Sequence, residues 1–454
     1  MDNIKRFFLL MLPIVLLGIT FRFIDYDKIP PAYETADEYA YPWTGMTLLQ
    51  TGVPKSWSWF GAYPDGVIYQ KWGGPFRIVS PWLDQQPLYS LISGSWMMLN
   101  GSRDLFDVRL STLRVLPITL SFFTISLTGF LAKALFGNKV GLLSALLYAT
   151  VPTIVIANRL SLTENLLTPI SLLILWLFSL SEWKKLTVLK LYLVGLGCGL
   201  AIITKQVGMA LPITILALLL IDRQWKNAII IFFISIIFGL ISPLMGLYYD
   251  WRLFINLMKE SRLAHGLGLP ETIATIFRFP GVGHKERVFL DGSILTGLLL
   301  LLTAPFWLKI QENYKKILPI LIFPFIYLTL MVLIDGGQTW YGWYLFPLFP
   351  FLTILMGKAF FDLWQKPDFL KSLFFYLVLG SSTVRFLLLL LPNFQKSWQP
   401  ILAVPLLILT GGFLLKTNYQ RLILVMFFAI FIIVNILVDI NLNKIYPSFP
   451  QPLQ

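Results

Sequence analysis

The sequence predicts an all-α protein that crosses a membrane many times. Of its 454 residues, 57% are hydrophobic and 13% are charged, about half the charged fraction of a soluble domain. Long apolar runs recur along the chain, and basic residues concentrate in alternate loops. So few charges cannot cover a soluble surface, which excludes a water-soluble fold, a disordered chain and a nucleic-acid-binding module.

Thirteen apolar segments predict a bundle of about thirteen transmembrane helices. A helix needs about 20 residues to cross roughly 30 Å of hydrocarbon. The shortest segments lie near 208–221, 293–308 and 400–415. In chain order the predicted segments are 7–24, 115–135, 140–156, 165–181, 186–203, 208–221, 227–248, 293–308, 317–334, 342–361, 372–391, 400–415 and 422–439.

The first apolar segment resembles a signal peptide, because Lys5 and Arg6 precede it. No small-residue cleavage site follows it, so we interpret it as an uncleaved anchor. With the N-terminus inside, the inner segments carry 17 basic residues and the short outer segments carry four. This asymmetry predicts a cytoplasmic N-terminus, and an odd number of spans then places the C-terminus outside. The short loops and the lack of sorting signals fit a plasma (inner) membrane. The net charge of +13 therefore reflects the orientation of the chain in the membrane and does not indicate a nucleic-acid partner.

Two segments, 25–114 and 249–292, are too long to be simple turns, and both are expected outside. Every predicted cytoplasmic loop is short, so we expect the chemistry at the outer face. The charges of 249–292 indicate either a solvated loop or a lid over a donor. One cysteine and two histidines exclude an intrachain disulfide and a Cys- or His-rich metal site.

A helix with two acids in its first turn is predicted at the start of the first outer segment. Thr35 is placed to cap it, Asp37 and Glu38 follow, and the helix should continue to Leu49 and end at Gly52. Its composition suits a helix on a membrane surface. The two acids are either capping charges or functional groups, and their scarcity in this chain favours the second interpretation.

Residues 53–82 are rich in Trp, Tyr, Gly and Pro. This composition is typical of an interfacial aromatic belt, and equally of a platform on which pyranose rings stack. A second amphipathic helix is predicted to open at Asp84-Gln85-Gln86-Pro87 and to run to about Leu99.

A set of short motifs follows in order along roughly residues 1–300. They are Asp37-Glu38-Tyr39, Leu48-Leu49-Gln50-Thr51-Gly52, Gln86-Pro87-Leu88-Tyr89, Arg109-Leu110-Ser111 with Arg114, Arg159 with Glu164, and Gly199-Leu200-Ala201 with Thr204-Lys205. In these motifs the sequence resembles the lipid-carrier-dependent glycosyltransferases of the C superfamily. The closest likeness is to the bacterial family-39 type, related to protein O-mannosyltransferases and the lipid A aminoarabinose transferase.

This resemblance implies a glycosyltransferase-C-like bundle with amphipathic helices in the long first outer loop. Residues 1–300 would form the catalytic module and 301–454 a variable set of C-terminal helices. The implied donor is a polyprenyl-phosphate-linked hexose or pentose, and the acceptor is a hydroxyl of a protein, lipid or glycan. Transfer would invert the anomeric centre, and we expect neither a metal nor a cofactor.

The resemblance assigns Asp37 as the general base, and Glu38 would orient the acceptor or hold a basic residue. Donor or acceptor contacts are expected from residues in and near the same motifs, namely Tyr39, Asp84, Gln86, Tyr89 and Glu164. The chain departs from the family pattern at Gln85-Gln86-Pro87 and at Trp343-Tyr344-Leu345-Phe346-Pro347.

Cations are required to stabilise the charge that develops on the leaving phosphate. Arg159, Lys205 and Arg385 stand isolated in apolar sequence, which makes them candidates. Alternatives remain open for each of them: Arg159 could pair with Glu164, Lys205 could be a snorkelling anchor, and Arg385 could pair with a carboxylate such as Asp439.

Two other functions compete with glycosyl transfer. A transporter or flippase of lipid-linked saccharides would predict internal repeats and polar groups at mid-membrane. No repeat is visible, and the isolated charges cluster towards the outer edge. A ligase of lipid-linked glycans would keep outer arginines but would not need the pair Asp37-Glu38.

Overall fold

The computed structural model describes residues 3–32, 37–71, 74–180, 187–264, 291–308, 310–334, 342–393 and 398–446. These residues are predominantly helical, and the all-α membrane architecture is confirmed. The predicted cap Thr35 and most of the segment 249–292 lie outside the described residues. The division at residue 300 stays a prediction.

The elements of the first part of the chain include a small sheet between helices. In order they are α1 (Asn3–Phe23), α2 (Asp37–Thr51), β1 (Ser56–Trp57), β2 (Val67–Lys71), β3 (Gly74–Val79), α3 (Pro87–Leu99), α4 (Leu110–Leu113), α5 (Val115–Phe136), α6 (Asn138–Thr150), α7 (Pro152–Ala157), α8 (Glu164–Ser179), α9 (Val188–Thr204), α10 (Ala210–Ile221), α11 (Trp225–Gly239), α12 (Ile241–Tyr249) and α13 (Trp251–Ala264).

The second part of the chain is helical wherever it is described. Its elements are α14 (Gly292–Trp307), α15 (Ile310–Ile334), α16 (Phe349–Gln365), α17 (Phe369–Phe375), α18 (Ser381–Leu390), α19 (Trp398–Gly412), α20 (Thr417–Ile440) and α21 (Leu442–Ile445). A turn of π-helix joins α17 to α18, so the two form one rod. A 3₁₀ helix, Gly342–Leu348, leads into α16.

Each predicted apolar segment coincides with helical structure. Within the described ranges, six helices are long and apolar enough to cross a membrane, and six shorter apolar helices accompany them. The six long ones are Lys5–Phe23, Leu110–Phe136, Trp225–Tyr249, Gly342–Gln365, Phe369–Leu390 and Thr417–Ile440. The multi-pass fold is therefore confirmed, whereas the number thirteen stays a prediction.

The predicted acidic helix is present as α2, and Gly52 follows its end in the left-handed region with φ of +73°. Residues 38–47 of α2 are buried, so this helix is covered by protein rather than lying on a surface. The cause is a close crossing with α3. A Cβ added to Gly45 would lie 1.8 Å from the Ser90 carbonyl oxygen, and one added to Gly94 would lie 2.5 Å from the Gly45 carbonyl carbon.

The small antiparallel sheet in the aromatic segment was not predicted. Its strand order is β1-β3-β2, with Ser56 opposite Val79 and Val67 opposite Ile78. Phe76 of β3 packs edge-on against Trp43 of α2, with ring centroids 5.6 Å apart. The sheet therefore covers α2 on a side that α3 leaves free and holds the following loop beside the start of α2.

Candidate active site

A cavity of about 110 Å³ lies at the N-terminus of α2, at one end of the bundle. It is built from segments far apart in the sequence: α2, the loops around the small sheet, the turn after α9, the α12–α13 pair and the 3₁₀ helix before α16. The lining residues are Asp37, Ala40, Tyr41, Trp57, Trp59, Phe60, Trp82, Leu83, Asp84, Gln85, Gln86, Lys205, Gln206, Val207, Ser242, Met258, Ser261, Trp343 and Tyr344.

Asp37 is the first residue of α2 and turns its carboxylate to this cavity. Among the residues that the structure describes, none donates a hydrogen bond to this carboxylate. The pKa of Asp37 is raised to about 6, mainly by burial and also by the charge of Glu164 and, less, of Glu38, while the charge of Lys205 lowers it. A half-buried carboxylate with a raised pKa can accept a proton near neutral pH.

Asp84 is the second carboxylate in the lining. Its Oδ1 accepts a hydrogen bond of 2.6 Å from the Tyr63 hydroxyl, which in turn accepts one from the Leu83 N–H. Burial raises the pKa of Asp84 to about 7, against the hydrogen bonds from Ser58 and Tyr63, and the charge of Asp37 adds to the rise. Asp84 is therefore held in place by its neighbours, whereas the carboxylate of Asp37 receives no hydrogen bond from the part of the chain that the structure describes.

Lys205 is the one lysine or arginine among the described lining residues. Its Nζ donates to Glu164 Oε1 at 2.5 Å and lies 4.4 Å from the centroid of the Tyr344 ring. Thr163 Oγ1 donates to the other oxygen of Glu164 at 3.0 Å. A lysine has three N–H donors, so this amine can serve Glu164 and still face an anion in the cavity.

Glu38 lies behind the cavity rather than in its lining. It is fully buried and forms a two-point ion pair with Arg114, at 3.0 Å to Nε and 2.6 Å to Nη2. The Ser161 N–H donates to the same carboxylate at 2.8 Å. Arg114 Nη1 also donates to the carbonyl of Pro30 at 2.9 Å, so this pair fixes the start of α2 against three other segments.

Of the other predicted contacts, Gln86 lines the cavity and Glu164 reaches it through Lys205. Tyr89 is buried, and its hydroxyl lies 2.9 Å from Ser161 Oγ. Tyr39 is buried in an aromatic cluster, 5.6 Å from Trp43 between ring centroids. The last two therefore support the site from outside its lining.

Arg159 and Arg385 lie apart from the cavity lining. Arg159 is fully buried and donates to the carbonyl of Phe21 at 2.8 Å, which ties the turn after α7 to the end of α1. Glu164 pairs with Lys205 rather than with Arg159. Arg385 lines a separate groove with Trp398, between α18 and α19.

The structure adds residues that the motifs did not single out. Trp343 and Tyr344, where the chain departs from the family pattern, form one wall of the cavity. Glu260 of α13 accepts hydrogen bonds of 2.6 Å from the N–H groups of Gly61 and Ala62, next to the lining residue Phe60. The departure at Trp343-Tyr344 could have signalled that wall, but no sequence pattern linked Glu260 to the loop near residue 60.

Comparisons with known proteins agree with this architecture. The family model described as dolichyl-phosphate-mannose-protein mannosyltransferase matches residues 92–247, about a third of the chain. No curated protein matches the chain significantly.

Several solved structures share the fold. ArnT from Cupriavidus metallidurans, bound to undecaprenyl phosphate, is 13% identical with a TM-score of 0.54, over 94% of this chain and 77% of that one. The archaeal oligosaccharyltransferase AglB from Archaeoglobus fulgidus, with an inhibitory peptide and a dolichol-phosphate, is 12% identical with a TM-score of 0.54. It is matched over 98% of this chain and 56% of its own length, so this chain spans little more than half of AglB. The resemblance to C-superfamily glycosyltransferases is thereby confirmed at the level of the fold.

Proposed function

We propose that this chain transfers a sugar from a polyprenyl-phosphate-linked donor to an acceptor hydroxyl, with Asp37 as the general base. One observation carries the proposal: a carboxylate with a raised pKa and a lysine line the same cavity, on the fold of enzymes solved with polyprenyl phosphates. Base and cation must flank one sugar for such a transfer, because the reacting atoms have to be held together.

The reaction needs few catalytic groups. Asp37 takes the proton of the acceptor hydroxyl while the oxygen of that hydroxyl forms a bond to the anomeric carbon. The bond between that carbon and the phosphate oxygen breaks, and polyprenyl phosphate leaves with the electron pair. The leaving group is a weakly basic phosphate, so no general acid is required, and displacement from the opposite face inverts the anomeric centre.

Lys205 would stabilise the negative charge that grows on the leaving phosphate. The ion pair with Glu164 and the ring of Tyr344 hold its amine towards the cavity, which supports this role. Asp84 and Gln86 are placed to bind sugar hydroxyls, and the indole rings of Trp57 and Trp343 offer faces for a pyranose. Two expectations from the sequence stay predictions. One is that Arg159 and Arg385 contact the phosphate, and the other is that Glu38 takes a direct part in the reaction.

The proposed orientation follows from the distribution of basic residues and places this cavity at the outer face of a plasma (inner) membrane. Nucleotide sugars are cytoplasmic, so an outer site needs a lipid-linked donor that has already crossed the membrane. The acceptor is a protein, lipid or glycan hydroxyl. We propose that no metal takes part, because a lysine is available at the phosphate.

A donor panel tests the reaction type. Purified protein is incubated with polyprenyl-phosphate hexoses and pentoses and an extract of membrane acceptors, and release of polyprenyl phosphate is measured together with the anomeric configuration of the product. We expect release with inversion for one donor class, and a lower kcat for release in Lys205→Gln, because the charge on the phosphate grows only as the bond breaks. A retained anomeric configuration, or release that is unchanged in Lys205→Gln, would contradict the proposal.

A further inference from the structure

A second cavity lies at the other end of the bundle, between α6, α16 and α20. It encloses about 490 Å³, and its walls are aliphatic and aromatic apart from one lysine. The lining residues are Lys139, Leu142, Leu143, Phe360, Phe361, Leu363, Trp364, Leu424, Val425 and Phe428. We call this space the α6–α16–α20 cleft.

Two cations stand at the mouth of this cleft. Lys139 Nζ lies 5.1 Å from the ring centroid of Trp364 and 5.8 Å from that of Phe361. Arg421 precedes Leu424 and Val425 by about one helical turn, so the three share a face of α20. Its Nη2 donates to the Gln365 carbonyl at 2.8 Å, and its Nε is buried without a partner.

The positive charge at the mouth is not neutralised by the described acids around it. The nearest acid along α16, Asp362, forms its ion pair with Lys358 at 2.5 Å. Asp368 accepts a hydrogen bond from the Lys371 N–H and so caps α17. In the described part of the chain no carboxylate pairs with Lys139 or Arg421.

We propose that the α6–α16–α20 cleft binds a phospholipid with an anionic headgroup, with one acyl chain inside and the headgroup phosphate between Lys139 and Arg421. An apolar cleft takes the chain, and basic residues between helix ends on the cytoplasmic side select anionic headgroups. Trp364 is a side chain typical of the headgroup level. The position of the cleft on the cytoplasmic side depends on the orientation proposed above and not on the reaction. Lipid binding can therefore be refuted without refuting glycosyl transfer, and the reverse also holds.

Native mass spectrometry of the purified full chain tests this binding with phosphatidylglycerol and phosphatidylcholine of identical acyl chains. We expect tighter binding of phosphatidylglycerol. One basic side chain near a headgroup is worth about fivefold in affinity, so Lys139→Gln combined with Arg421→Gln should weaken phosphatidylglycerol by roughly 20- to 30-fold. Phosphatidylcholine, whose phosphate is balanced by its own choline, should be weakened by a clearly smaller factor. The matched control is Lys226→Gln, which removes an exposed lysine far from the cleft and should change neither lipid.

Val425→Trp tests the chain-binding part, because the larger side chain fills the cleft from its wall. It should weaken both lipids, and the thermal unfolding midpoint without added lipid shows whether each variant is folded. Equal affinity for the two lipids in the native chain would overturn the proposal. So would unchanged phosphatidylglycerol binding in the folded double variant, or displacement of the lipid by glycerol phosphate at equal concentration.

Discussion

The raised pKa of Asp37 predicts how the transfer rate depends on pH. With a pKa of about 6, Asp37 is ionised to about 90% at pH 7 and to about 10% at pH 5, so kcat/KM should fall about tenfold between them. The sign follows from the role of the group: only the carboxylate accepts a proton, so activity is present above the pKa and lost below it. The donor is a phosphodiester with no ionisation in this range.

Glu164→Gln tests the cause of this shift. The negative charge of Glu164 raises the pKa of Asp37, and its removal also leaves Lys205 freer to lower that pKa. Both effects act in the same direction, so the acid limb of the profile should move to lower pH. Asp84→Asn is the control, because the pKa of Asp84 is raised to about 7, so most of this carboxyl is protonated in the range where Asp37 ionises.

The assay is the release of polyprenyl phosphate by purified protein in detergent, measured as kcat/KM from pH 4.5 to 8, a range chosen to bracket both carboxylates. The position of the limb, not the height of the plateau, carries the information, because Glu164→Gln also alters the setting of Lys205. A profile that stays flat down to pH 5 would refute the assignment of Asp37 as base. A limb that Glu164→Gln leaves in place would refute the electrostatic explanation.

Three further predictions concern residues that hold the site together. Arg114→Ala removes the cation that neutralises the buried carboxylate of Glu38, so we expect a loss of about 3–5 kcal/mol in the free energy of unfolding, measured by thermal denaturation. Gly45→Ala places a methyl group against the backbone of α3 and should lower the free energy of unfolding by about 1–3 kcal/mol or more. Gly411→Ala is its control: a methyl group there meets no other described element within 4 Å, so this change should be neutral or slightly stabilising. Glu260→Gln removes the charged acceptor of two backbone N–H groups beside the cavity, and steady-state kinetics should show a higher KM with kcat nearly unchanged.

Each of these predictions has an outcome that contradicts it. Arg109→Ala is the control for the buried pair, because Arg109 is exposed and should lose little stability. Equal stability losses at Arg109 and Arg114 would mean that burial of the ion pair is unimportant. A Gly45→Ala protein as stable as the native one would show that α2 and α3 do not cross as closely as described. A fall in kcat alone in Glu260→Gln would place Glu260 in the reaction itself.

Composition and periodicity predict much of this fold, because a membrane span requires a long apolar run wherever it occurs. The start of α2 at Asp37 and its end before Gly52 were also predictable, since acids favour a helix N-terminus and glycine favours positive φ. The burial of α2 was not predictable, because it depends on the close packing of Gly45 against α3, about 45 residues further along the chain. The sheet was missed because Trp, Tyr, Gly and Pro suggested interfacial loops by composition alone.

The site was predictable only in part. Asp37 and Lys205 stand in separate motifs that were expected at one face, and both line the cavity. Sequence does not show which way a charged side chain points at a helix end. Arg159 and Lys205 are both isolated cations in the sequence. In the structure Arg159 is buried and donates to the carbonyl of Phe21, whereas Lys205 lines the cavity. The difference arises from tertiary packing that no local pattern encodes.

The proposed reaction depends most directly on Asp37 as the base, and a single-turnover measurement with Asp37→Asn tests this role. The variant keeps the shape of the side chain and loses its ability to accept a proton, and Asp65→Asn, at an exposed acid of the same segment, is the control. We expect a rate at least about 100-fold lower in Asp37→Asn, with donor affinity changed by less than about twofold, and a native rate in the control. A native single-turnover rate in Asp37→Asn would contradict it.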